Sequence, residues 1–221
     1  MTSHVIAFDL DGTLVDSVPD IAAAANDVLR SLELQERSTT QYREWIGNGV
    51  VRLLARAITG DFDGAPDAAL LDEAHTRFEV AYAQTNGQRS EPYAHAREVL
   101  ASLGRSATLA CVTNKPHSFA VDLLRYHDLL DNFSLVVGGD SVAHQKPHPA
   151  PLQHVASQLR VDVETILVVG DSVNDVRAAR AAGCRVIAVS YGYNHGLDIR
   201  DEAPDHVIDT LAVLPELVGV R

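Results

Sequence analysis

Asp9 and Asp11 stand two residues apart in Asp9-Leu10-Asp11-Gly12-Thr13, directly after the apolar run Val5 to Phe8. Carboxylates this close, just past a buried strand, repel each other unless a proton or a cation relieves them. A hard divalent cation does so, and Mg²⁺ commonly works with one or two carboxylates plus substrate phosphate. A solvated turn, with Asp and Gly there for backbone reasons, would have the same composition. A second acidic motif, Gly170-Asp171-Ser172-Val173-Asn174-Asp175, follows another apolar run and puts Asp175 one helical turn beyond Asp171. Alone it also reads as helix capping by Asp171 or Ser172, with Asp175 favoured by the helix dipole. Two acidic strand ends on one sheet edge together make a magnesium site.

Between these motifs lie Thr113-Asn114-Lys115 and Lys146-Pro147-His148-Pro149. A hydroxyl, an amide and an ammonium at strand ends can hold the oxygens of a transferring phosphoryl group, where catalysis is mainly positioning and charge stabilisation. Lys115 and Lys146 are the only lysines among 18 basic residues, and both follow strand-like runs. A surface lysine in a turn is the competing reading, and it weighs more for Lys115 than for Lys146. Gly138-Gly139-Asp140-Ser141 lacks the spacing of a dinucleotide loop and reads as a turn, as does His148. The ten histidines show no paired zinc-ligand pattern.

The elements that must position these residues alternate. Apolar, β-rich runs at His4–Phe8, Thr108–Thr113, Leu135–Val137, Ile166–Val169 and Val186–Ser190 are separated by helical patterns at Ala96–Leu103, His117–His127, Pro149–Leu159 and Val173–Ala182. Continuous apolar strands alternating with helices predict a Rossmann-like, doubly wound parallel α/β sheet with both faces covered. Ligands bind such sheets outside the carboxyl ends of the strands. From Asp16 to Arg89 the alternation stops. Ser17 can cap a helix with Pro19 in its first turn, and further helical patterns run over Gln41–Ile46, Val50–Thr59 and Pro66–Thr85. The prediction is a core domain of residues 1–15 and 90–221, with an inserted α-helical cap domain of residues 16–89.

The net charge of −12 disfavours nucleic acid and anionic lipid as partners. No apolar run approaches the roughly 20 residues needed to span a bilayer, and no apolar leader opens the chain, so the cytoplasm is the expected location. Cys111 and Cys184 fall in apolar stretches and read as buried free thiols.

The chain resembles the haloacid dehalogenase superfamily, in its phosphoglycolate phosphatase group. The resemblance rests on four ordered motifs: Asp9-Leu10-Asp11-Gly12-Thr13-Leu14-Val15-Asp16-Ser17, Val112-Thr113-Asn114-Lys115-Pro116, Lys146-Pro147-His148-Pro149 and Gly170-Asp171-Ser172-Val173-Asn174-Asp175. Tyr191-Gly192-Tyr193-Asn194 is similar as well. The resemblance implies that Asp9 is the nucleophile and a Mg²⁺ ligand. It makes Asp11 the general acid/base, with a backbone carbonyl on the metal. Thr113 and Lys146 would hold phosphoryl oxygens with Asn114 beside them, Asp171 would bind the metal directly, and Asp175 would support it. The cap loop Ile46-Gly47-Asn48-Gly49 would face the substrate through Asn48. One departure is visible: relatives often have Tyr-Pro-Gly at the return to the core, where this chain has Tyr93-Ala94-His95.

Within that family Asp11 argues for phosphoryl transfer over dehalogenation, and the absence of lysine from residues 16–92 argues against Schiff-base cleavage of phosphonates. The expected reaction is hydrolysis of a small phosphomonoester, 2-phosphoglycolate first, by a monomer or homodimer. The alternatives are a sugar phosphate or pyrophosphate substrate, a sugar-phosphate mutase, or a non-catalytic binding protein. A substrate carboxylate needs a cation, and with no cap lysine the expected donor is an arginine near the cap loop. Arg43, Arg52 and Arg56 are candidates, with Arg52 nearest the loop on the following helix.

Overall fold

A computed structural model describes residues 4–219. The chain runs β1 (His4–Phe8), β2 (Val15–Asp16), α1 (Val18–Ser31), α2 (Thr39–Trp45), α3 (Val50–Thr59) and α4 (Ala68–Thr85). It continues through β3 (Glu91–Pro92), α5 (Ala96–Leu103), β4 (Ala107–Val112), α6 (His117–Tyr126), β5 (Leu135–Val137) and α7 (Ala150–Leu159). The last elements are β6 (Ile166–Gly170), α8 (Val173–Ala182), β7 (Arg185–Val189), β8 (His206–Ile208) and α9 (Leu214–Leu217).

Six strands form one parallel sheet in the order β5-β4-β1-β6-β7-β8. Each central strand is apolar on both sides because each face of the sheet carries helices. Phe8, Leu109, Cys111 and Val169 pack with α5, α6 and α9 on one face. Val5, Ala7, Val112 and Val168 pack with α7 and α8 on the other. The two cysteines are buried and free. After β1 the chain builds the sheet out through β4 and β5, then returns to β1's other edge with β6. That reversal opens a crevice at the carboxyl ends of β1, β4 and β6.

Helices α1–α4 pack around their own core, including Leu29, Tyr42, Leu54, Phe78 and Tyr82. Helix α2 begins at Thr39, two residues before the apolar pattern, because Ser38 and Gln41 form a capping box. Helix α4 begins at Ala68 rather than Pro66, with the Asp67 side chain accepting from Leu70 N. The expected Ser17 cap is not made. Ser17 precedes α1, but its hydroxyl donates to Asp11 Oδ1 at 2.5 Å.

Two features escape the apolar pattern. Strands β2 and β3 pair antiparallel where the chain enters and leaves the helical insert. Strand β8 is a three-residue edge strand. At the return to the core, His95 adopts φ 67°, the left-handed region that favours glycine, which explains why relatives with Gly there can share this turn.

Candidate active site

Asp9 is the first residue past β1, held by a hydrogen bond from its N–H to Val169 O of β6 at 2.9 Å. The turn that follows sends Leu10 and Leu14 into the core and leaves Asp9 and Asp11 lining a pocket under the cap. Gly12 takes φ +92°, and a Cβ there would collide with the Asp171 carboxylate. The tight turn therefore lets the β1 and β6 ends approach.

Lys146 Nζ lies 2.8 Å from Asp9 Oδ1 and donates to Asp175 Oδ1 at 2.6 Å and Val112 O at 2.7 Å. Two of its ammonium donors are thus directed at named oxygens, and the third side of the charge faces Asp9. Burial works against the charge on Lys146, but Asp175 and Asp9 outweigh it and raise its pKa. Although Asp9 Oδ1 is within ion-pair distance of Lys146, it has no aligned hydrogen-bond donor. Burial raises the Asp9 pKa most, Lys146 opposes, Asp175 and Asp11 add, and the result is pushed up to about 7. Asp171 is raised well above the carboxylate range by burial first, then by Asp9 and Asp175. It accepts from Thr13 Oγ1 and Tyr193 N, each at 2.8 Å.

Asp9, Asp171 and Asp175 each offer an oxygen, all within 4.8 Å of one another. Three buried carboxylates beside one lysine, one with an unmatched oxygen, make a donor set that suits a hard dication such as Mg²⁺. Asp175 is the least free of the three. Its Oδ1 takes Lys146 and its Oδ2 accepts from Ser172 N and Oγ at 3.1 and 2.7 Å.

Thr113 and Lys115 line the same pocket from the end of β4. Thr113 Oγ1 accepts from Lys115 N at 3.2 Å and keeps its own proton to donate. Lys115 is no surface turn residue. It is 7% exposed, with Nζ 3.0 and 3.3 Å from the two oxygens of Asp11 and 4.8 Å from the centre of the Tyr82 ring.

Three expected substrate contacts differ in where their side chains go. Asn114 is in the pocket, but its amide is committed elsewhere. Nδ2 donates to Gly47 O and Lys146 O, each at 2.9 Å, and Oδ1 accepts from Lys146 N at 3.0 Å. Asn48 is outside the pocket wall, to which the loop contributes Gly47 and Gly49. Arg52 is outside as well, donating to Gly64 O, Phe62 O and Asp63. The 62–64 loop presents acceptors within reach of α3, and a guanidinium is satisfied there without crossing to the core. Arg43 pairs with Asp16 at 2.9 Å, and Arg56 donates to Trp45 O at 2.6 Å inside the cap.

Residues not singled out complete the site. Asn174 donates to Gly47 O at 3.1 Å. Tyr193, besides holding Asp171, donates its hydroxyl to Asp16 at 2.7 Å and accepts from Ser17 N at 3.0 Å. Both belong to motifs quoted above, but nothing in their spacing says what they touch.

The comparisons with known proteins agree with this geometry. The haloacid dehalogenase-like hydrolase profile matches residues 4–183. The chain belongs to that family. It is 44% identical over 217 residues to the phosphoglycolate phosphatase of Nitrosococcus oceani, covering 98% of this chain and 96% of that one. It is 42% identical to the phosphoglycolate phosphatase of Nitrosospira multiformis, covering 96% and 94%. A crystal structure from Haemophilus somnus 129pt, described as a predicted phosphoglycolate phosphatase, superposes with a TM-score of 0.91 at 32% identity, covering 99% of each chain. No described helix of this hydrolase is long and apolar enough to cross a membrane.

Proposed function

We propose that this hydrolase is a cytoplasmic, Mg²⁺-dependent phosphatase that converts 2-phosphoglycolate to glycolate and phosphate through an aspartyl-phosphate on Asp9. The observation that carries the proposal is the meeting of Asp9, Asp11, Thr113, Lys146 and Asp171 in one pocket beneath the cap. The substrate follows from the names of the relatives. A sugar phosphate is disfavoured by the apolar cap-side wall of Ile46, Val50, Leu53 and Phe78, which has no side-chain groups to pair with ring hydroxyls.

In this reading an Asp9 oxygen attacks phosphorus and the bond to the glycolate oxygen breaks. Lys146 keeps the Asp9 carboxylate in place and offsets the charge of the incoming phosphate. Asp11 gives a proton to the departing oxygen, then takes one from the water that hydrolyses the acyl phosphate. Thr113 donates its hydroxyl to a phosphoryl oxygen, and Asp9 and Asp171 would hold the metal, with Asp175 keeping Lys146 aligned. The bound metal supplies neutralising charge to the phosphoryl oxygens.

A panel of phosphate esters assayed with and without Mg²⁺ tests the proposal, with 2-phosphoglycolate expected to be preferred. Full activity after exhaustive chelation would remove the metal. Asp9→Asn is expected to lose at least about a hundredfold in turnover while melting as a folded protein. A variant that keeps more than that is incompatible with Asp9 as nucleophile.

A further inference from the structure

The pocket must take a substrate that carries a second anion into a protein of net charge −12. Among the described residues, the cations lining it are Lys115 and Lys146. Lys146 is taken up by Asp9, Asp175 and Val112 O at the reaction centre. Lys115 has a donor to spare, because both of its ion contacts go to one carboxylate, Asp11, and its remaining neighbour is Tyr82. The Tyr82 hydroxyl is buried beside the Lys115 ammonium, and no well-aligned partner takes up its proton. An unmatched buried hydroxyl is costly, so its presence in a pocket wall marks a place where a ligand oxygen completes the set.

We infer that Lys115 and the Tyr82 hydroxyl bind the carboxylate of the substrate's leaving group, so that the specificity cation is supplied by the core strand β4 and not by a cap arginine. The inference rests on the phosphoglycolate reading and deepens it. Its geometry has a direction. Asp11 must stand at the leaving oxygen to give it a proton, and Lys115 is attached to Asp11, so Lys115 lies on the leaving-group side of the scissile bond. A carboxylate one carbon from that oxygen comes within reach of the ammonium, and the hydroxyl of Tyr82 donates to it. The class of substrate selected is a phosphate ester of a short 2-hydroxy acid.

The test compares kcat/KM for 2-phosphoglycolate and 2-hydroxyethyl phosphate, which has the same two-carbon skeleton without the carboxylate. The wild type is expected to prefer 2-phosphoglycolate, and Lys115→Met to reduce that preference on the order of a hundredfold, as loss of a buried charge partner does. Tyr82→Phe removes one hydroxyl and keeps the ring that packs in the cap, so it is expected to fold and to lower the preference several-fold. If the wild type does not discriminate, the substrate reading falls and takes this inference with it. If the wild type discriminates and Lys115→Met loses both esters equally, Lys115 only positions Asp11, and the inference alone is overturned. Should Lys115→Met fail to fold, an unchanged preference in Tyr82→Phe overturns it.

Discussion

A carboxyl group pushed up to about 7, as Asp9 is, holds a proton through much of the range in which the proposed Mg²⁺ would bind. Burial is the main cause, so the shift belongs to the metal-free pocket. A metal ligand must be deprotonated, and binding therefore expels the proton. The sign follows. Below about pH 7 metal-free Asp9 carries a proton that Mg²⁺ would release, whereas well above pH 7 Asp9 has none to release. Mg²⁺ titrations by calorimetry in buffers of different ionisation enthalpy are expected to show proton release at pH 6.5 that fades by about pH 8.5. A buffer-independent heat at pH 6.5 would mean that Asp9 is already ionised. Asp9→Asn should reduce this release to the share that Asp171 contributes, and abolish the turnover.

At the scale of elements, the join between helical insert and sheet depends on a buried residue outside the catalytic motifs. Asp20, in the first turn of α1, accepts from Gly87 N at 2.9 Å, Arg89 N at 2.8 Å and Ser90 N at 3.1 Å. The carboxylate thus ties the start of the insert to its return, beside the β2–β3 pair. Asp20→Ala strands three backbone donors, two of them in wholly buried hydrogen bonds. The expected loss is about 3 kcal/mol, seen as a lower urea midpoint at an unchanged slope. A midpoint within experimental scatter of wild type would show that water replaces the carboxylate without penalty.

Across the whole molecule, Gly47 O is one of the points at which the helical insert is held to the core. Gly47 O accepts from Asn114 beyond β4 and from Asn174 on α8, so the cap loop rests on two strand ends of the core. His195 Nδ1 donating to Glu44 O at 2.8 Å and Asn86 Nδ2 donating to Phe119 O at 2.9 Å add contacts between insert and core. These bonds are part-buried or exposed, which would suit an insert that opens as product leaves. Asn174→Ala is expected to raise KM about tenfold and speed amide exchange at residues 46–49, with global stability changed by less than about 1 kcal/mol. Unchanged exchange there would mean that Asn114 alone keeps the loop down.

The residues bearing chemistry were legible because each follows an apolar strand in the chain. Chain adjacency makes Asp9, Thr113 and Asp171 strand-end residues before any tertiary contact is known. The parallel sheet was legible for the same reason, since a strand covered on both faces writes itself as an unbroken apolar run. Strands β2 and β3 were not, because two residues carry too little pattern, and β8 was not, because His206 leaves it only two apolar residues where β5 has three. Side-chain partners were decided only by the fold. A lysine or arginine head lies several bonds from its backbone and goes to whichever acceptors the assembled structure leaves open. For Arg52 those were the carbonyls of the 62–64 loop, and for Lys115 they were the carboxylate of Asp11, 104 residues away in sequence.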